Sequence, residues 1–178
     1  MSISGQPHAF PNGYELVNGV ECHALYGDRF EISSPWLRNS VGPGHFVELR
    51  LDSSRFSVHP DAEIDCRCDA CDATTDKPIL CHEQPHSLMP IGRHAIPSRG
   101  WGEQFWVRIQ ERAGCGLLGV VDNDLYETHL HGLSLGDTVE FTEDHILTVH
   151  PSHHRVLIEN MGDVDMRDHL EWIRKRQH

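Results

Sequence analysis

GEQFWVRIQERAGCGLLGVV, residues 102–121, reads as two β-strands joined by a tight turn. Phe105, Val107 and Ile109 alternate with Trp106, Arg108 and Gln110, the period-two pattern of a strand with one buried face. Ala113-Gly114-Cys115-Gly116 breaks the pattern with small residues suited to a turn, and LLGVV at 117–121 returns as the partner strand. Gly114, Gly116 and Gly119 match the G-x-G-x-x-G spacing of a dinucleotide fingerprint. They lie between two strands with no helix following, so the hairpin is the better reading.

Downstream, Asp122-Asn123-Asp124 reads as a turn, and Gly136-Asp137 as a turn before a strand at 138–141. EDHILTV and HHRVLIE predict two further short strands, at about 145–149 and 153–159. DVDMRDHLEWIRKRQ, in 163–177, predicts a C-terminal helix, with Met166, Leu170 and Ile173 at i, i+4 and i+7. Asp163 and Asp165 open it and Arg174, Lys175 and Arg176 close it, as the helix dipole favours.

Upstream, YELVNGVECHALY at 14–26 carries Asn18-Gly19 between apolar runs and predicts a hairpin. RFEI at 29–32 predicts a short strand, and PWLRNS at 35–40 one helical turn opened by proline. GPGH at 42–45 turns into a strand at 45–51, and Phe56 and Val58 suggest another that Pro60 stops. The resulting fold class is α+β: mostly antiparallel β, barrel-like or strongly bent, with a cysteine-rich insertion and a C-terminal helix. The 178 residues suit one domain, 1–178.

The insertion is residues 60–100, rich in Asp, Cys, Pro and His, with no apolar periodicity. Pro78, Pro85, Pro90 and Pro97 exclude a long helix there. CRCDACDATTDKPILCHE, residues 66–83, holds four of the six cysteines. Cys68 and Cys71 form C-x2-C, which lets two thiolates from one turn meet the same ion, and zinc needs about four such ligands. The expected Zn2+ set is Cys66, Cys68, Cys71 and Cys81, with His82 or His86 as alternative fourth ligands. A redox C-x2-C is the weaker reading, because Asp69, Asp72 and Asp76 would raise the thiol pKa values. Four protein ligands leave no position for water, so such a site is structural. It would organise a segment too poor in apolar residues to fold by burial. The zinc-deaminase pattern fails, since His82-Glu83 follows the cysteines and no proline precedes Cys68.

A second cluster is DNDLYETHLHG, with Asp122, Asp124, His129 and His131. On a strand the two histidines would share a face, and two imidazoles with two carboxylates can hold a metal of a hydrolase. A polar turn without metal is the more economical reading. No nucleophile elbow, phosphate-binding loop or serine triad occurs. Trp101, Phe105 and Trp106 suit a partner surface or the core, and core packing is expected for at least two of them.

The net charge is −12 with histidine neutral. Residues 101–178 hold fourteen acidic and seven basic side chains and so supply more than half of it. This sign repels phosphate backbones and excludes nucleic acid as a favoured ligand. It would steer a basic protein partner instead. The fifteen histidines give a charge that changes between about pH 5 and 7. No segment has the apolar length of a membrane helix. The N-terminal MSISGQPHAFPNG has neither a basic n-region nor an apolar h-region, which predicts a cytoplasmic chain whose clustered thiols bind metal.

EQFWVRI, GLLGVVDNDL and LSLGDTVEFTEDHI, within 103–146, together with RFEISSPWLRNSVGPGHFVELRL at 29–51, resemble a small bacterial β-domain family of unknown function. The likeness covers about half of the chain. Some of that family's relatives are similar to immunity proteins found beside polymorphic toxins. The resemblance implies a compact non-enzymatic domain that neutralises a partner, and it supplies no catalytic residues. It implies structural roles for Trp106, Gly119, Asn123, Gly136, Asp137, Phe141 and His145. The sequence therefore predicts a non-enzymatic binding protein with structural zinc. The alternative is a metal-dependent hydrolase built on Asp122, Asp124, His129 and His131 or on an open zinc site.

Overall fold

The computed structural model describes residues 10–53, 101–126 and 128–176. Six strands form one antiparallel sheet: β1 Tyr14–Leu16, β2 Phe46–Ser53, β3 Trp101–Ala113, β4 Gly116–Val121, β5 Thr138–Thr142 and β6 Thr148–Val149. β2 to β5 lie side by side in chain order. The outer edge of β2 is shared. β1 takes its end, with Tyr14 opposite Ser53, and β6 takes its start, with Val149 opposite Val47. A 3-10 turn at Glu143–His145 carries the chain from β5, at one edge, back to β6 on β2. The sheet is thereby bent into a nearly closed barrel.

The alternation read in residues 102–112 sets the register. Phe105 and Val107 point inward opposite Leu49 and Val47 of β2, and with Ile109 and Leu51 they are essentially without solvent contact. Leu117 and Val121 of β4 and Val139 and Phe141 of β5 complete the interior. Burial of each such side chain contributes roughly 1.5–3 kcal/mol. The register slips by one residue between Ile109 and Glu111, a bulge that bends β3 before its turn. Gly119 leaves the space that Val107 fills; a Cβ there would collide with the Val107 side chain and crowd the Arg108 carbonyl.

Among the described residues, five helices accompany the sheet: α1 Gly19–Tyr26, α2 Pro35–Ser40, α3 Thr128–His131, α4 Pro151–Glu159 and α5 Asp163–Lys175. Three segments differ from their sequence-based expectation. The Asn18-Gly19 hairpin is instead the start of α1, because the Asn18 side chain accepts from Glu21 N at 3.1 Å and caps a helix. RFEI buries Phe30 and Ile32 in alternation but pairs with no strand; a 3-10 turn occupies Gly27–Arg29. HHRVLIE is helix, not strand. His150 Nδ1 accepts from Ser152 N, Pro151 sits at the first helical position, and Leu157 supplies the buried contact. The C-terminal helix is present as expected, yet its inward residue is His169, while Leu170 is 55% exposed.

Arg176 fastens that helix. Its guanidinium donates to Ile32 O and Asp28 Oδ1, reaches His23, and lies over the Trp172 ring. Arg112 holds the other end of the barrel by donating to Val41 O and to the Glu143 carboxylate. The chain leaves β2 at Ser53 and re-enters β3 at Trp101, directly opposite.

Candidate functional site

The sequence-predicted zinc ligands Cys66, Cys68, Cys71 and Cys81, and the alternatives His82 and His86, lie outside the described residues. The remaining cysteines are free: Cys22 half-buried on α1 and Cys115 exposed in the β3–β4 turn. Burial, with Asp52 nearby, pushes the Cys22 thiol up. Among the described residues, no three His, Cys, Asp or Glu side chains converge on a point where a metal could sit.

The 122–131 cluster is divided by the fold. Asp122 and Asp124 are exposed. Asn123 between them binds the turn to β3: its Oδ1 accepts from Trp106 N at 2.6 Å and its Nδ2 donates to Asp124 O. The segment Thr128–His131, which as a strand would have set the two histidines on one face, is the helical turn α3, followed by Gly132 at φ +76°. That turn sends His131 inward, where it is 1% exposed.

His131 meets partners that the sequence reading did not single out. Its Nδ1 accepts from Leu133 N at 3.1 Å, which places the proton on Nε2. Nε2–H then donates to Glu103 Oε2 at 3.1 Å. The other Glu103 oxygen accepts from Tyr126 N at 2.6 Å. The Tyr14 ring stands edge-on to the imidazole, 5.3 Å between centroids. Glu103 could have been suspected from the sequence: it occupies an inward position of β3, in phase with Phe105, where a carboxylate must find a donor. Nothing in the sequence names His131 as that donor.

Beside this pair lies a cavity of about 290 Å3 lined by Phe10, Pro11, His131, Gly132, Leu133, Asp137 and Thr138. No protein-family model matches the chain, and neither does any curated protein or solved structure. The site is therefore read from its own geometry. Both imidazole nitrogens of His131 and both Glu103 oxygens already hold protein groups. The arrangement joins the loop 122–133 to β3 and offers no free base to the cavity.

Several of the residues compared by resemblance sit in the core or brace turns. Trp106 is half-buried, Gly119 fits under Val107, and Phe141 is in the core. Asp137 Oδ2 accepts from Ser134 N in the turn before β5. His145 Nδ1 accepts from Thr142 N and closes the turn after it.

A second group of side chains, unremarked in the sequence, gathers on the outer face of β2. His45 and His153 have ring centroids 4.9 Å apart, and His153 stacks on Phe46 at 5.6 Å with 11° between planes. His150 lies 6.1 Å from His153 and 5.0 Å from Trp106.

Proposed function

We propose that this chain is a non-enzymatic, cytoplasmic protein-binding domain that meets a basic partner, with zinc holding its 66–81 segment. The observation that carries the reading is charge: fourteen acidic against seven basic side chains over 101–178. Asp122, Asp124, Asp137, Asp144, Asp163 and Asp165 are all exposed. Such a surface attracts a cationic protein and repels nucleic acid. No helix among the described residues is long and apolar enough to cross a membrane.

Cys66, Cys68, Cys71 and Cys81, with His82 or His86 in reserve, are the proposed zinc ligands. Their segment departs from and returns to adjacent strand ends, so a metal-organised excursion could be accommodated without interrupting the sheet. An immunity protein bound to a toxin is the kind of partnership this chemistry suits.

The test is titration calorimetry against purified basic proteins, a cationic nuclease first, at low and at physiological salt. Affinity that weakens steeply with salt supports the reading. Binding indifferent to salt, or none to any cationic protein, overturns it.

A further inference from the structure

Among the described residues, four histidines use Nδ1 as the acceptor of a backbone N–H. His45 takes Gly42 N at 2.9 Å, His131 takes Leu133 N, His145 takes Thr142 N, and His150 takes Ser152 N. His169 Nδ1 and the Ser34 hydroxyl share a further hydrogen bond of 2.7 Å. In each of the four, a second proton would land on the nitrogen that now accepts, and would break the bond.

Two of these four, His45 and His150, stand with His153 where α4 rests on the sheet. His153 Nε2 is buried and has no hydrogen-bond partner among the described residues. We propose that His45, His150 and His153, packed on Phe46 and Trp106, form an acid-released latch. Protonation unseats helix α4 from the sheet and bares the Phe46 and Trp106 rings.

The surroundings favour release. His154, on α4 itself, also faces His153, while its Nε2–H donates to Val149 O. Arg155 of α4 is engaged with Glu159. On β3, Arg108 stands opposite Phe46 and adds a further positive charge. On β2, Glu48 lies two residues along, opposite Trp106 and Thr148. From α2, Arg38 is turned away to Ser33 O and Glu143 O, and from α5, His169 faces His154. Among the described residues, His131 makes a histidine–carboxylate contact, the distant hydrogen bond to Glu103, and no such contact is made by His45, His150 or His153. Burial, followed by the neighbouring imidazoles His45, His150 and His154, holds the His153 pKa below the ordinary histidine value. Burial does the same for His45.

The sign follows from linkage. A histidine depressed in the docked form takes its proton more readily when released. Docking is complete above the ordinary value of about 6.5 and is lost as pH falls from there toward the docked value. Each proton bound only by the released form shifts the equilibrium by up to about tenfold per pH unit.

Amide hydrogen exchange over 152–160, corrected for intrinsic rates, would be compared in the full chain and in His153→Phe. The substitution keeps a ring on Phe46 but cannot be charged. Between about pH 7.5 and 5.5, protection of the unaltered chain should fall by roughly tenfold or more, while His153→Phe, which keeps only His45 and His150, should lose distinctly less. Unchanged protection in the unaltered chain, or an equal loss in the variant, overturns the latch. Should the variant not fold, the imidazole resonances of the unaltered chain decide. His153 must titrate below about 6.5 together with the 152–160 amides, and titration at or above that value overturns the proposal.

Discussion

His131 and Glu103 show what a residue list conceals. The sequence placed His131 with Asp122, Asp124 and His129 as a conceivable metal group; the fold gives it Glu103 and Leu133 N instead. A four-residue helical turn decides the difference, because it rotates the imidazole inward where a strand would have aimed it beside His129. Such a rotation depends on the Thr128 hydroxyl donating to Leu133 O and on the reversal at Gly132, neither of which has a period to read. His131→Leu removes the hydrogen bond to Glu103 and takes the acceptor from the buried Leu133 amide. It should cost about 2–3 kcal/mol, read as a lowered urea midpoint. An undiminished midpoint would mean that water or another group replaces the imidazole. Gly119 was legible only as a member of a pattern, and its reason is steric. Gly119→Ala must displace Val107 and should cost about 1–3 kcal/mol in the same measurement.

At the scale of elements, strands with one buried face were legible and segments governed by caps were not. β2, β3, β4 and β5 stand where alternation and turn residues put them. Short apolar runs such as HHRVLIE satisfy both a strand and a helix pattern, and Pro151 with the His150 cap settles the matter. Asn18-Gly19 is the same lesson in reverse: the dipeptide of a hairpin turn also caps a helix, and the buried Gly19 lies against Leu147, 2.7 Å from where its Cβ would be. Asn18→Ala should cost about 1 kcal/mol and leave the rest of the barrel intact, as judged by strand amide protection. The C-terminal helix was placed correctly but its inner face was not. The i, i+4, i+7 stripe pointed to Leu170, whereas the Ser34 bond and the Arg176 contacts turn His169 inward. Arg176→Ala should therefore raise exchange selectively over 163–175. Uniform protection would show that His169 alone holds the helix.

For the whole molecule, burial holds His45, His145, His153 and His169 below their ordinary values, so the unfolded chain binds more protons in mild acid. Stability should be full above about pH 6.5 and decline as pH falls below it, seen as a decreasing urea midpoint. A flat profile would show that these rings titrate normally in the fold. The charge balance and the thiol cluster were plain in the sequence; elemental analysis of metal per chain checks the cluster, with one zinc expected and its loss in Cys68→Ser/Cys71→Ser. The sheet's connectivity has a further consequence, in the order of events during folding. β3, β4 and β5 are neighbours in sequence and can pair at once. β2 reaches β3 only after residues 54–100 close as a loop, and β6 reaches β2 only when both edges of the sheet exist. Local pairing precedes distant pairing when closure entropy opposes it. Val139→Ala should then slow folding, while Val149→Ala, at the seam where β6 completes the barrel, should leave folding speed nearly unchanged and hasten unfolding.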